Sequence, residues 1–258
     1  MSDSQSPYAP PQSDLSGASA VNSPLDPTKI DLGAAFNYTV AREGWWKDYL
    51  IAGLIMLVPI AGWAAFYGWM RRCFEQVRDG RGGEGPPPIQ FGDDMALGWA
   101  PMVAMFTTVF ALMLPLMCFM GLGMGISVGI GAAAGQGGGG GAAGVVSALV
   151  MVAMQIFQFV ISIGINLVYP EIFRRGFNGE FVPVLNAGQS FRQIKARPKL
   201  YGMAALGYFI CAMGGGLGVM ACCVGWFVTF PLAMAASAHI IAQWDVCAQD
   251  ALRELGEA

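Results

Sequence analysis

The sequence predicts an all-α polytopic transmembrane helix bundle of four or five spans, and three observations carry that prediction. The first is where charge is missing. Of 258 residues, 55% are hydrophobic and 12% charged, about half the charge usual in soluble domains. Asp, Glu, Lys and Arg are absent altogether from residues 49–70, 95–170 and 200–244. The second is length: a bilayer crossing takes about 20 mostly apolar residues, and every one of these runs is long enough. The third is the position of the 14 basic residues, which crowd into alternate polar segments and leave the intervening turns bare. A soluble globular, fibrous or disulfide-stapled fold is excluded on these grounds.

Residues 1–35 read as a disordered Ser/Pro-rich tail, too poor in large apolar residues to offset ordering entropy. The Pro-rich stretch 7–11 reads as a solvated spacer. No apolar stretch before residue 49 has the form of a cleavable signal peptide. The transmembrane domain is placed at 36–246, followed by a short polar tail at 247–258; from Asp245 on, the chain reads as a polar continuation of the last helix, too small for a domain.

The run 49–70 admits two readings. It contains Pro59, Ala61 and Gly62 at its centre, and a helix-interior proline costs about 3 kcal/mol. In one reading it crosses once, giving five spans with the N-terminus outside. In the other it is a re-entrant hairpin with the N-terminus inside, which needs a close protein surface to pack on.

The 76-residue run divides at Gly135 to Gly141, where glycine costs a helix about 1 kcal/mol per residue relative to Ala. Spans are expected at 97–120 and 145–169. The last run divides near 221–225, giving spans at 200–220 and 225–244. Arg71, Arg72, Arg78 and Arg81, then Arg174, Arg175, Arg192, Lys195, Arg197 and Lys199, then Arg253 border the other ends. The positive-inside rule makes those segments, and the C-terminus, cytoplasmic. Such a multi-pass protein belongs in the inner or plasma membrane.

Between the third and fourth spans, Val184, Ala187, Gly188, Phe191 and Ile194 form an apolar stripe opposite Gln189, Arg192, Gln193 and Lys195. This is an interfacial amphipathic helix, with Arg192, Lys195, Arg197 and Lys199 as a lipid-facing basic segment. An alternative is a connector packed on its own bundle. Lys47-Asp48-Tyr49 and Gly62-Trp63 with Phe66 also echo Lys199-Leu200-Tyr201 and Gly225-Trp226 with Phe230, at unequal spacing.

Certain residues together resemble a known family. Trp46-Lys47 precedes the first apolar run, Pro59 and Gly62 lie inside it, and Gly68, Arg71 and Arg72 follow. Pro86 to Pro88, Asp93, Asp94 and Gly98 come next, then Pro170, Arg175, Phe181, Phe191, Ile194, Pro198 and Tyr201. The last span opens with Cys223-Val224-Gly225-Trp226-Phe227 and ends with Ala238-His239 and Gln243. From about Phe36 to Trp244 the chain resembles the prokaryotic membrane proteins grouped as domain of unknown function 4013. Arg197 departs from the family's Asn, and Trp244-Asp245 from its tendency toward Tyr-Arg. The resemblance implies a multispanning bundle and carries over no activity or site.

Candidate chemistry is sparse. Gln155, Gln158, Ser162 and Asn166 recur at 3, 4 and 4, one helix face that avoids lipid and serves either a solute path or interhelical hydrogen bonds. His239, with Gln243 one turn on, reads as a buried histidine bonded to a neighbouring helix, or else as a proton relay. Gly121, Gly125 and Gly129 have the spacing of helix-packing glycines. Met113, Met117, Met120 and Met124 beside Cys118 are ordinary packing residues, although thioethers suit Cu(I). The six cysteines read as small apolar residues, and Asp93, Asp94 and Glu171 as solvated or capping carboxylates. No catalytic, cofactor or metal set is expected, and no nucleic acid. The leading expectation is a non-enzymatic scaffold, assembly factor or partner subunit in contact with lipid and with protein partners or further copies of itself. A small-solute or ion permease is the alternative, and a lipid-acting enzyme the third.

Overall fold

The computed structural model describes residues 25–135, 140–220, 225–254 and 256, and places eight α-helices there. They are α1 (Leu32–Val40), α2 (Trp45–Ile55), α3 (Ala61–Arg78), α4 (Phe91–Gly135), α5 (Gly140–Phe177), α6 (Ala187–Ala196), α7 (Pro198–Met220) and α8 (Trp226–Glu254). Among the described residues there is no strand. Residues 1–24, the centres of both predicted outer turns, and Cys222 and Cys223 lie outside them.

Among the described residues, four helices are long and apolar enough to cross a membrane: Phe91–Leu114 within α4, Ala148–Phe177 within α5, Pro198–Gly218 and Trp226–Glu254. The run 49–70 is not a fifth. It breaks at 56–60, where Pro59 has no amide proton to give a helix and Ile60 sits at φ 60°, an uncommon conformation for a β-branched residue. On either side the chain runs antiparallel. Tyr49 meets Trp69 with ring centroids 6.0 Å apart, and the Ile55 carbonyl fills the space a Cβ on Gly62 would need. Residues 49–70 thus form a helical hairpin rather than one straight crossing, the shape that the re-entrant reading expects.

The close protein surface that such a hairpin requires is present on both arms. Gly53 of α2 lies against the backbone of Phe227, and Gly68 and Gly98 bring α3 and α4 into backbone contact, with Asp94 and Ala64 respectively. Tyr201 against Trp244 and Gly218 against Thr229 show α7 and α8 to be antiparallel neighbours. Both segments of the internal echo thus form helical hairpins, and their Phe66 and Phe230 rings stack at 5.8 Å.

Helix α8 is the centre of this packing: 67% of its apolar window is buried, against 6% for α5. Trp69, Phe74, Ile241 and Trp244 are among the fully buried side chains around it. The C-terminal segment continues α8 as far as Glu254, and within it Cys247, Ala248 and Ala251 are completely buried. Nor is all of 1–35 unattached. Ile30 and Ala35 are core residues, and the Asp31 carboxylate caps α1 by accepting from the Ala34 amide at 2.9 Å.

The spans predicted at 97–120 and 145–169 lie inside longer helices. With 45 residues, α4 rises about 67 Å, roughly twice the thickness of a bilayer core.

Candidate functional site

The described N-terminal segment is clasped by α8. Gln243 accepts from the Asp31 amide through Oε1 and donates from Nε2 to the Asp31 carbonyl at 3.0 Å. The same Nε2 lies 2.8 Å from His239 Nδ1. These bonds fix one another. The Asp31 N–H requires an oxygen opposite it, so the amide nitrogen of Gln243 is the atom facing His239, and an amide nitrogen only donates. His239 Nδ1 therefore accepts, and the ring proton sits on Nε2. That nitrogen faces Gly82, where a Cβ would come within 3.2 Å, and the ring lies against Tyr38 at 5.2 Å.

Around them is a cavity of about 540 Å³, lined by Asp26, Lys29, Asn37, Tyr38, Gly82 and His239 among others. The Thr28 hydroxyl and amide both donate to Asp26 and hold its carboxyl below the usual aspartate value. His239 and Gln243 are thus joined, as their spacing suggests, but to the N-terminal segment rather than to Gln155 or Asn166. Gln243→Leu removes both bonds to Asp31. Amide hydrogen exchange across 25–40 is expected to accelerate about tenfold or more, from bonds worth about 1 kcal/mol each, while exchange in α7 is unchanged.

Beside the clasp lies an ionic cluster that sequence reasoning missed. Glu171, expected to be a solvated carboxylate, is 3% exposed and accepts from Arg174 at 2.7 and 2.8 Å, Arg175 at 2.9 Å, Ser190 at 2.7 Å and Trp244 at 3.0 Å. Arg174 also donates to Asp245 at 3.1 Å and to Gln193 at 2.8 Å. Arg175 reaches Glu180 at 2.8 Å. The cluster fastens α5, α6 and the polar end of α8 together. Asp94 is likewise not solvated: it is fully buried and paired with Arg72. A signal was present in the sequence, since Glu171 with Arg174 and Arg175 at i+3 and i+4 ends one apolar run and Asp245 ends another.

The amphipathic helix α6 is inverted relative to a simple headgroup helix. Ser190 and Gln193 point inward to the arginines, while Ala187, Gly188 and Phe191 face out. Of the described residues of the apolar stripe only Ile194 turns in, half-buried against the Trp244 cluster, while Phe191 is exposed, as are Arg192, Lys195 and Lys199. Arg197 is not part of a lipid-facing set. It donates to Asp250 at 2.6 Å, Glu254 at 2.8 Å and the Pro27 carbonyl at 2.7 Å, its long fork reaching partners that spacing alone does not reveal.

The remaining candidates sit on the α4–α5 hairpin. Gln155, Gln158 and Ser162 are exposed on α5, and Asn166 donates to the Ser162 carbonyl of its own helix at 2.8 Å. Gly121, Gly125 and Gly129 meet nothing within 4 Å. Among the described residues they approach no other helix; close approaches are made by Gly53, Gly68, Gly98 and Gly218. The small-xxx-small spacing fits any helix face, and only the tertiary arrangement selects among such faces. Met117 and Cys118 are exposed, whereas Cys73 is fully buried, which pushes its thiol up to about 12.

A family model described as protein of unknown function (DUF4013) matches residues 51–238, well over half of the chain. No curated protein and no solved structure matches.

Proposed function

From the premise that the chain belongs to the DUF4013 family of proteins of unknown function, we propose that it is a non-enzymatic membrane scaffold, assembly factor or partner subunit. One observation carries this reading. The polar face of α5, the least buried of the candidate spans, points away from its own bundle. Polar side chains on a charge-free span avoid lipid, so this face is suited to association within the membrane rather than to a route through the chain. The basic residues support a cytoplasmic placement of the end that carries the clasp and the ionic cluster, in the inner or plasma membrane. There α6 offers an outward apolar side and exposed Arg192, Lys195 and Lys199 to anionic lipid.

The test combines two readouts on one variant. With Gln155, Gln158 and Asn166 replaced by Leu, the chain is expected to insert and fold, and to lose the partner that co-purifies with the wild type in mild detergent. Uptake or efflux of small solutes is expected to be unchanged. A folded variant that retains its partner but loses a solute flux favours a permease instead.

A further inference from the structure

We propose that α5 makes a two-fold contact with a second copy of this chain, through a seam of Ala148, Met151, Gln155, Gln158 and Ser162. The inference rests on the association reading above and names the partner that reading leaves open.

The five residues recur at intervals of 3, 4, 3 and 4, and all are exposed. That is the interval of the inward positions of a coiled coil, so they stay on one side of the helix for about 21 Å. The side is not taken by α4, which meets α5 through Gly123 against the Met154 thioether. Ala148 and Ser162, one at each end, are small enough for two helices to approach closely.

The two glutamines decide what covers the seam. Among the described residues neither Gln155 nor Gln158 has a hydrogen-bond partner, whereas Asn166 one turn further satisfies its amide on its own helix. Lipid chains offer no donor or acceptor, and an unpaired amide in hydrocarbon is expensive. A carboxamide carries both donors and acceptors, so a face built of carboxamides complements itself. A two-fold axis along the membrane normal brings Gln155 and Gln158 against the same residues of the second copy, in the parallel orientation two identically inserted chains must have. Each contact then occurs twice, as in any isologous interface. The heptad interval sets a shallow crossing of roughly 20°.

The experiment uses the full chain in its native membrane, with a photoreactive amino acid placed at single positions from 148 to 162. Crosslinks between copies are expected at 148, 151, 155, 158 and 162, and not at 149, 153, 156 or 160 on the opposite side. In parallel, co-purification of two differently tagged copies is expected to fall about tenfold for Gln155→Leu with Gln158→Leu, substitutions that keep α5 apolar enough to insert. Copy-to-copy crosslinks on the 149–160 side, or tagged copies that pair as well without the glutamines, overturn the proposal. Capture of a different protein at the seam positions also overturns it, yet leaves the scaffold reading intact. An uncrosslinked, unpaired chain at every position overturns both.

Discussion

Glu171→Ala is expected to destabilise the folded chain by about 3–5 kcal/mol, the cost of leaving a buried ion without its counter-charge. The carboxylate accepts from two buried guanidiniums, a hydroxyl and an indole, so its loss strands Arg174 and Arg175 where water does not reach. Arg174 keeps Asp245 and Arg175 keeps Glu180, which holds the effect below that of exposing two wholly unpaired charges. Ser190→Ala removes one hydrogen-bonding partner from the same network and is expected to cost about 1 kcal/mol. Thermal unfolding in detergent, followed by tryptophan fluorescence, separates the two. Because Trp244 is itself a partner of Glu171, its emission is expected to shift in the folded state of the alanine variant.

Gly98→Ala and Gly68→Ala are expected to cost about 3 kcal/mol each, at the upper end of what overpacking produces. At both positions a Cβ falls on a backbone carbonyl oxygen of the neighbouring helix, that of Ala64 or of Asp94. A carbonyl within a helix has no rotamer to escape into, so α3 and α4 must separate. Separation also pulls Arg72 away from Asp94, so the cost includes part of that pair. Gly121→Ala and Gly125→Ala meet open space and are expected to be neutral or to gain up to about 1 kcal/mol from helix propensity. Melting temperatures of the four variants, measured side by side, check the contrast.

Charge-free runs are legible because lipid forbids charge over a fixed length, so four spans and the polar ends can be read residue by residue. The Pro59 break is legible too, although only the packing of Tyr49 on Trp69 and Gly62 on Ile55 decides that the chain turns back rather than kinks. Close packing is much less visible. Glycine at intervals of four occurs at Gly121, Gly125 and Gly129, which meet nothing among the described residues, while Gly53, Gly68 and Gly98, each alone in its helix turn, carry close approaches. Their partners are backbone atoms, which leave no trace in residue identity. The ionic cluster was hidden for a related reason. Glu171 and Asp245 are 74 positions apart in the chain, and each, seen by itself, resembles an ordinary charge at a membrane boundary. The clasp was half visible: His239 and Gln243 announce each other at i and i+4, but Asp31 is captured by its backbone, which any residue type would supply.

The N-terminal segment and the C-terminal half of α8 lie together at one end of the bundle, where α2 and α3 enter and leave. Arg197 bound to the Pro27 carbonyl, Gln243 to Asp31 and Tyr38 against His239 all require it. The most direct measurement is a pair of topology reporters, one fused at each terminus of the otherwise intact chain in living cells. Both termini are expected to report the cytoplasm. An N-terminal reporter active outside, with the C-terminal one inside, would contradict the hairpin, the clasp and the four-span fold together.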